Sequence, residues 1–153
     1  MDKRIYIGAF LLWAIGFGMY AYLSPKLNRE TIVGANVVRF SNTSIPVELA
    51  ITSKAQQKGL SGRASLSQDS GMLFIFDHPA FYRFWMPDMH FPIDIIWIRD
   101  KKVVDISAEV TNAFDPIHPV YYIPREKAEY VLEVNAGFAE KKDIKIGDPV
   151  LLP

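Results

Sequence analysis

Two acids lie inside apolar, strand-like runs: Asp94 in Ile93-Asp94-Ile95-Ile96-Trp97-Ile98, and Glu133 in Val131-Leu132-Glu133-Val134. An ionised carboxylate in such surroundings must be paired or hydrogen-bonded, or its pKa rises. Two carboxyls that share a cleft with separated pKa values can divide acid and base work, as a hydrolase or lyase needs. Asp94 has the parity of Ile96 and Ile98, which points it inward. There it either belongs to a site or acts as a strut, bonded to backbone or paired with a base. Arg63 is the candidate base, because a planar guanidinium takes a carboxylate in two parallel bonds. Glu133 lies opposite Tyr130, Leu132 and Val134. It is an ordinary surface acid if that face is solvated, and a partner for Asp94 if the face lines a cleft.

Three histidines each follow an acid: Asp77-His78, Asp88-x-His90 and Asp115-x-x-His118. Asp88, His90 and Asp94 would make a two-carboxylate, one-imidazole set. The spacing matches no metal motif, and Asp beside His is common in turns, so no metal and no cofactor is expected. There is no Gly-x-Ser-x-Gly elbow and no glycine-rich phosphate loop. Phe81, Tyr82, Phe84, Trp85, Met86 and Phe91 form the richest apolar cluster, ending at the polar turn Pro87-Asp88-Met89-His90. Such a cluster is either core or the floor of a groove for a small molecule, glycan or peptide. Tyr121 and Tyr122 are candidates for the opposite wall.

These residues need a frame, and the pattern of the chain is mainly β. Val37 to Phe40 and Val47 to Thr52 are short β-rich runs, the second with Val47, Leu49 and Ile51 on one face. Ser53-Lys54-Ala55-Gln56 has the form of a capping box and predicts a short helix ending near Gly59. Met72 to Phe76 is apolar on both faces, as in a central covered strand. Phe81 to Met86 reads as another strand. Asp94 to Arg99 and Lys102 to Val110 read as a hairpin across Asp100-Lys101, with Val104, Ile106, Ala108 and Val110 inward. Asn112 to Pro124 holds three prolines and predicts an irregular excursion. Tyr130, Leu132 and Val134 share the core face of a later strand, one helical turn is possible at Gly137 to Lys142, and Val150 to Leu152 would close the chain. About eight short strands imply a small β-sandwich or jelly-roll-like barrel with one or two short helices.

Of the 153 residues, half are apolar and 13% aromatic, enough for a real core. With 17 bases against 17 acids the chain offers no basic stripe, so nucleic acid is not an expected partner. Cysteine is absent, which removes disulfides, thiolate metal sites and cysteine nucleophiles. Ile5 to Leu23 is uncharged over 19 residues. As a helix it would span roughly 28 Å at about 1.5 Å per residue, matching a hydrocarbon core. It exceeds the usual signal-peptide h-region of about 7 to 15 residues. Lys3 and Arg4 favour a cytoplasmic N-terminus. The expected order is therefore a membrane anchor over residues 1–24, a linker over 25–36 and one β-rich domain over 37–153, outside the cytoplasm. Secretion after signal cleavage is the alternative.

Four segments occur in order: LSGRASLSQDSGMLF from residue 60, FWMPDMHFPIDIIWI from 84, YVLEVNAGFAE from 130 and IKIGDPV from 144. Together they resemble the bacterial and archaeal family called domain of unknown function 192, over about residues 45–152. The resemblance implies a jelly-roll type of β-sandwich, and in many members an N-terminal signal or anchor. It implies no activity. The family's recurrent Trp-Met-Lys-Asn-Thr, followed by Pro and Asp, is met by Trp85, Met86, Pro92 and Asp94, while Pro87, Asp88 and Met89 depart from it. The sequence thus points to a binding or accessory role at the cell envelope, with Arg63, Trp85, Met86, Asp88, His90, Asp94 and Glu133 as site candidates. The alternatives are a hydrolase or lyase using Asp94 and Glu133, and a protein-interaction module.

Overall fold

The structure, a computed structural model, describes residues 36–153. The anchor expected at residues 5–23 and most of the linker lie outside them. Among the described residues no helix is long and apolar enough to cross a membrane.

Six strands form one mixed sheet: β1 (Val37–Arg39), β2 (Ser44–Ala50), β3 (Gly71–Ala80), β4 (Ile93–Arg99), β5 (Lys102–Val110) and β6 (Ala128–Asn135). Their order is β1-β2-β3-β6-β4-β5, with only the β2–β3 pair parallel. Two short helices complete the fold, α1 (Ser53–Lys58) and α2 (Phe138–Lys141). The mainly β reading with short helices holds, but the sandwich or barrel needs correction, because there is one sheet and its ladder is open. Near its ends the sheet is tied by the last residues: Pro149 bridges Lys102 of β5, and Leu151 bridges Arg39 of β1. The expected terminal strand is reduced to these single bridges.

Successive strand residues face opposite sides, so a two-sided core follows from the apolar runs of β3, β4 and β6. On one face Leu73, Ile96, Ile98, Leu132 and Val134 pack with Val38 and Ile45, under Phe138, Ile144 and Val150. On the other face Phe74, Ile95, Trp97 and Val131 pack beneath Leu60, Met86 and Met89. The second face is covered by loops and α1 rather than by a second sheet, which is why a strand count alone suggested a sandwich.

Three local expectations change. Phe81 to Met86 is irregular apart from one bridge, Phe84 to Tyr122. β3 instead runs on to Ala80, and the chain folds back on it. Tyr82 donates a hydrogen bond from its hydroxyl to the His78 carbonyl at 2.7 Å and stacks on Phe76 at 3.7 Å. In β5, Val103 and Asp105 are buried while Ala108 is exposed. Irregular pairing between Trp97 and Ile98 and near Ile93 shifts the face, and Glu109 takes a left-handed φ of 49°. At α1 the cap is Thr52, whose hydroxyl accepts from the Ala55 amide, one residue earlier than the capping-box reading. Gly59 ends the helix at a φ of 47°, as glycine readily does.

Asp105 illustrates how the proline-rich excursion is held. Its carboxylate accepts from the Arg125 backbone at 2.8 Å, from the Arg125 guanidinium and from the Ile106 amide. Burial pushes the pKa of Asp105 up, but these bonds outweigh it and hold the group below its ordinary range.

Candidate functional site

Asp94 and Glu133 stand on neighbouring strands, since Asp94 registers with Val134 and Ile95 with Glu133. That one-residue offset sends the two side chains to opposite faces of the sheet. They share no cleft, so the paired-acid arrangement for a hydrolase or lyase is not formed.

Asp94 is fully buried beneath α2. One carboxylate oxygen accepts from the Glu109 amide at 2.8 Å and the Gly137 amide at 3.1 Å. The other accepts from Ala139 at 2.9 Å. Gly137, in a left-handed conformation, has no side chain with which to cap α2, so Asp94 caps it from another strand. The strut reading of Asp94 therefore holds, but its partner differs from the one expected. Backbone amides satisfy it, and Arg63 pairs with Glu48 in a two-bond fork, Nη2 to Oε2 at 2.8 Å.

Glu133 faces the second core and lines a pocket of ≈ 290 Å³. The floor and walls are Phe74, Phe76, Tyr82, Phe84, Met86 and Met89. Glu133 is 7% exposed, and its Oε2 has no hydrogen-bond partner among the described residues. Burial pushes its pKa up to about 8, against a smaller downward pull from the Arg63 charge. Burial thus favours the neutral acid, which is able to donate one hydrogen bond into the pocket.

Trp85 and Met86 line the same pocket. Met86 is buried, whereas Trp85 is 47% exposed at the mouth. Trp85 stacks with Tyr121 at 5.8 Å and meets Phe114 edge-on at 5.6 Å. The proline-rich excursion meets Trp85 through Tyr121, but neither Tyr121 nor Tyr122 lines the pocket, so the opposite wall expected of them is not formed; Tyr122 contributes its backbone bridge to Phe84. Arg83 also lines the pocket and places its guanidinium 4.0 Å from the Tyr121 ring centroid. Asp88 and His90 stand together in the exposed turn, 3.4 Å apart, but Asp94 is on the far side of the sheet. The three do not converge, and no group of three or more metal-ligating side chains forms among the described residues. Gly62 accommodates this turn by donating its amide to the Asp88 carbonyl at 2.7 Å.

Of the candidates, the structure brings Glu133, Trp85 and Met86 to one pocket, with Arg63 close enough to act on Glu133 through its charge. It leaves Asp94, Asp88 and His90 outside the lining. Sequence reasoning missed Phe74, Phe76, Met89, Lys58 and Arg83 as pocket residues. The signal for the first two was the apolar character of both faces of β3. No local signal marked Lys58 or Arg83, which reach the mouth from α1 and from the irregular segment after β3.

The family model for domain of unknown function 192, described as uncharacterized ACR, matches residues 36–152. No curated protein matches the chain. Similar solved structures include the following two. One is a proposed transcription regulator from Sinorhizobium meliloti 1021, at 28% identity and a TM-score of 0.69, covering 76% of this chain and 92% of that one. The other is a protein of unknown function from Novosphingobium aromaticivorans DSM 12444, at 32% identity and a TM-score of 0.67, covering 76% and 83%.

Proposed function

The chain belongs to the domain of unknown function 192 family, and from the site itself we propose that it binds a small molecule in the pocket floored by Glu133. The observation that supports this most is the unpartnered Oε2 of a buried acid inside an aromatic- and methionine-lined cavity. A buried polar group without a partner costs about 1–3 kcal/mol, and such a cost is kept where a ligand supplies the missing bond. At ≈ 290 Å³ the space suits a compact molecule rather than a glycan chain or a peptide.

Trp85 closes one side of the mouth and holds the proline-rich excursion through Tyr121 and Phe114. A fragment screen on the full-length chain in detergent should yield ligands whose resonance shifts map to Met86, Met89 and Phe84. Trp85→Ala, with an unchanged melting temperature, should weaken them about tenfold, as loss of an aromatic contact worth about 1.4 kcal/mol would. Full affinity in that variant would count against a ligand seated at this mouth.

Residues 5–23 support an envelope address, with the domain on the outer side of the cytoplasmic membrane. In a fractionated cell the chain should stay with the membrane after alkaline carbonate washing, and added protease should reach the domain in spheroplasts. Recovery in the soluble cytoplasmic fraction would refute that address.

A further inference from the structure

Apart from Glu133, the charged groups lining the pocket are both cationic: Lys58 from α1 and Arg83 from the segment after β3. Both are exposed, and neither forms a salt bridge among the described residues. The pocket is therefore polarised. Its mouth carries two cations, Lys58 with the Asp88 carboxylate nearby beside Gly62 and Arg83 over the Tyr121 ring; its walls are aromatic rings and thioethers, and its deep end carries one carboxyl with a free oxygen. The strands beside Glu133 bring no charge to that face, since its register partners are Met72 and Ile95. Arg63, held by Glu48, is the remaining charge that acts on it.

We propose that the pocket takes a small organic acid: an anionic head at the rim that carries Lys58 and Arg83, an apolar or aromatic body against Phe74, Phe84 and Met86, and a distal oxygen that meets the unpartnered Oε2 of Glu133. This rests on the ligand-binding reading above and adds the chemical class. A cation at the deep end would have to pass two positive charges and would need Glu133 ionised. A neutral acceptor needs it protonated, the form that burial favours. A space of ≈ 290 Å³, at the small end for ligand pockets, suits a single-ring acid.

The test uses the full-length chain in neutral detergent and four matched probes whose distal oxygen is a methyl ether and can only accept: 4-methoxybenzoate, 4-methoxyphenyl phosphate, 4-methoxybenzyl alcohol and 4-methoxyphenethylamine. Calorimetric affinities are compared at pH 6 and pH 9. The two acids should bind best. Their affinity should fall about tenfold at pH 9, where only about a tenth of a group titrating near 8 remains protonated. Lys58→Gln with Arg83→Gln should weaken the acids at least tenfold and leave the alcohol unchanged. Glu133→Gln should remove the pH dependence while retaining the acids, because the amide still donates. Preference for the amine, or affinity that rises with pH, would overturn the organic-acid proposal while leaving a ligand-binding pocket in place. Should no probe bind at any pH to a chain with an intact thermal transition, both the proposal and the pocket reading fall.

Discussion

Glu133→Gln is expected to stabilise the protein at pH 7, by roughly 3 kcal/mol, or a rise in melting temperature on the order of 10 °C. The reason is the proton that the native acid holds. Unfolded, the group titrates near its ordinary 4.5; folded, burial pushes it up to about 8. Between those values the native state keeps a proton that the unfolded chain releases. Stability from this group is therefore greatest below about 4.5, declines as pH rises from there to about 8, and stays low above. The amide does not titrate, so the variant should lack this decline. Both the neutral acid and the amide leave one polar group unpartnered, and that cost cancels. Thermal unfolding from pH 4 to pH 9 would show the two proteins converging at acid pH and separating toward neutrality. Parallel curves would mean that Glu133 is solvated in the native state and would overturn the reading of a buried, unpartnered acid. A residue that lowers stability at working pH, at the floor of a cavity, is the pattern of a site kept for function rather than for folding.

How much of this was legible in the sequence depends on whether the cause was local. The alternation of Tyr130, Leu132 and Val134 revealed both faces of β6, and the same parity put Glu133 opposite that core. The hairpin of β4 and β5 across Asp100-Lys101 followed from two apolar runs and a polar pair, both of which take a left-handed φ in the structure. What covers Glu133 was not local. Leu60, Met86 and Met89 come from loops remote in the chain, so a face that looked free to be solvated is a second core. The face of β5 was misread for a related reason, since bulges depend on pairing with β4 and leave no mark in the hydrophobic period. Arg63 and Asp94 were matched by charge, yet Arg63 found Glu48 across the surface and Asp94 found amides. A carboxylate that binds backbone has no partner residue type to search for, which is why the strut was readable and its partners were not.

Those amides set the second large effect. Asp94→Ala should destabilise the fold by about 3–5 kcal/mol, because it strands the buried Ala139 donor and the part-buried donors of Glu109 and Gly137 together. Asp94→Asn keeps one acceptor oxygen but turns an NH₂ toward N–H donors, so it should cost about 2–4 kcal/mol instead of being neutral. The loss should appear first at α2. Gly137 gives that helix no cap of its own, and its four residues cannot hold a helix alone. Hydrogen exchange should therefore show the Ala139 and Glu109 amides losing protection together, although they are 30 residues apart. Urea unfolding with a loss under about 1 kcal/mol would sink the strut assignment. The two acids are register neighbours in one sheet, yet their neutral replacements should move stability in opposite directions. Asp94 faces three donors and Glu133's free oxygen faces none. The sign of the change thus separates the acid that holds the fold together from the one that the fold leaves unpartnered.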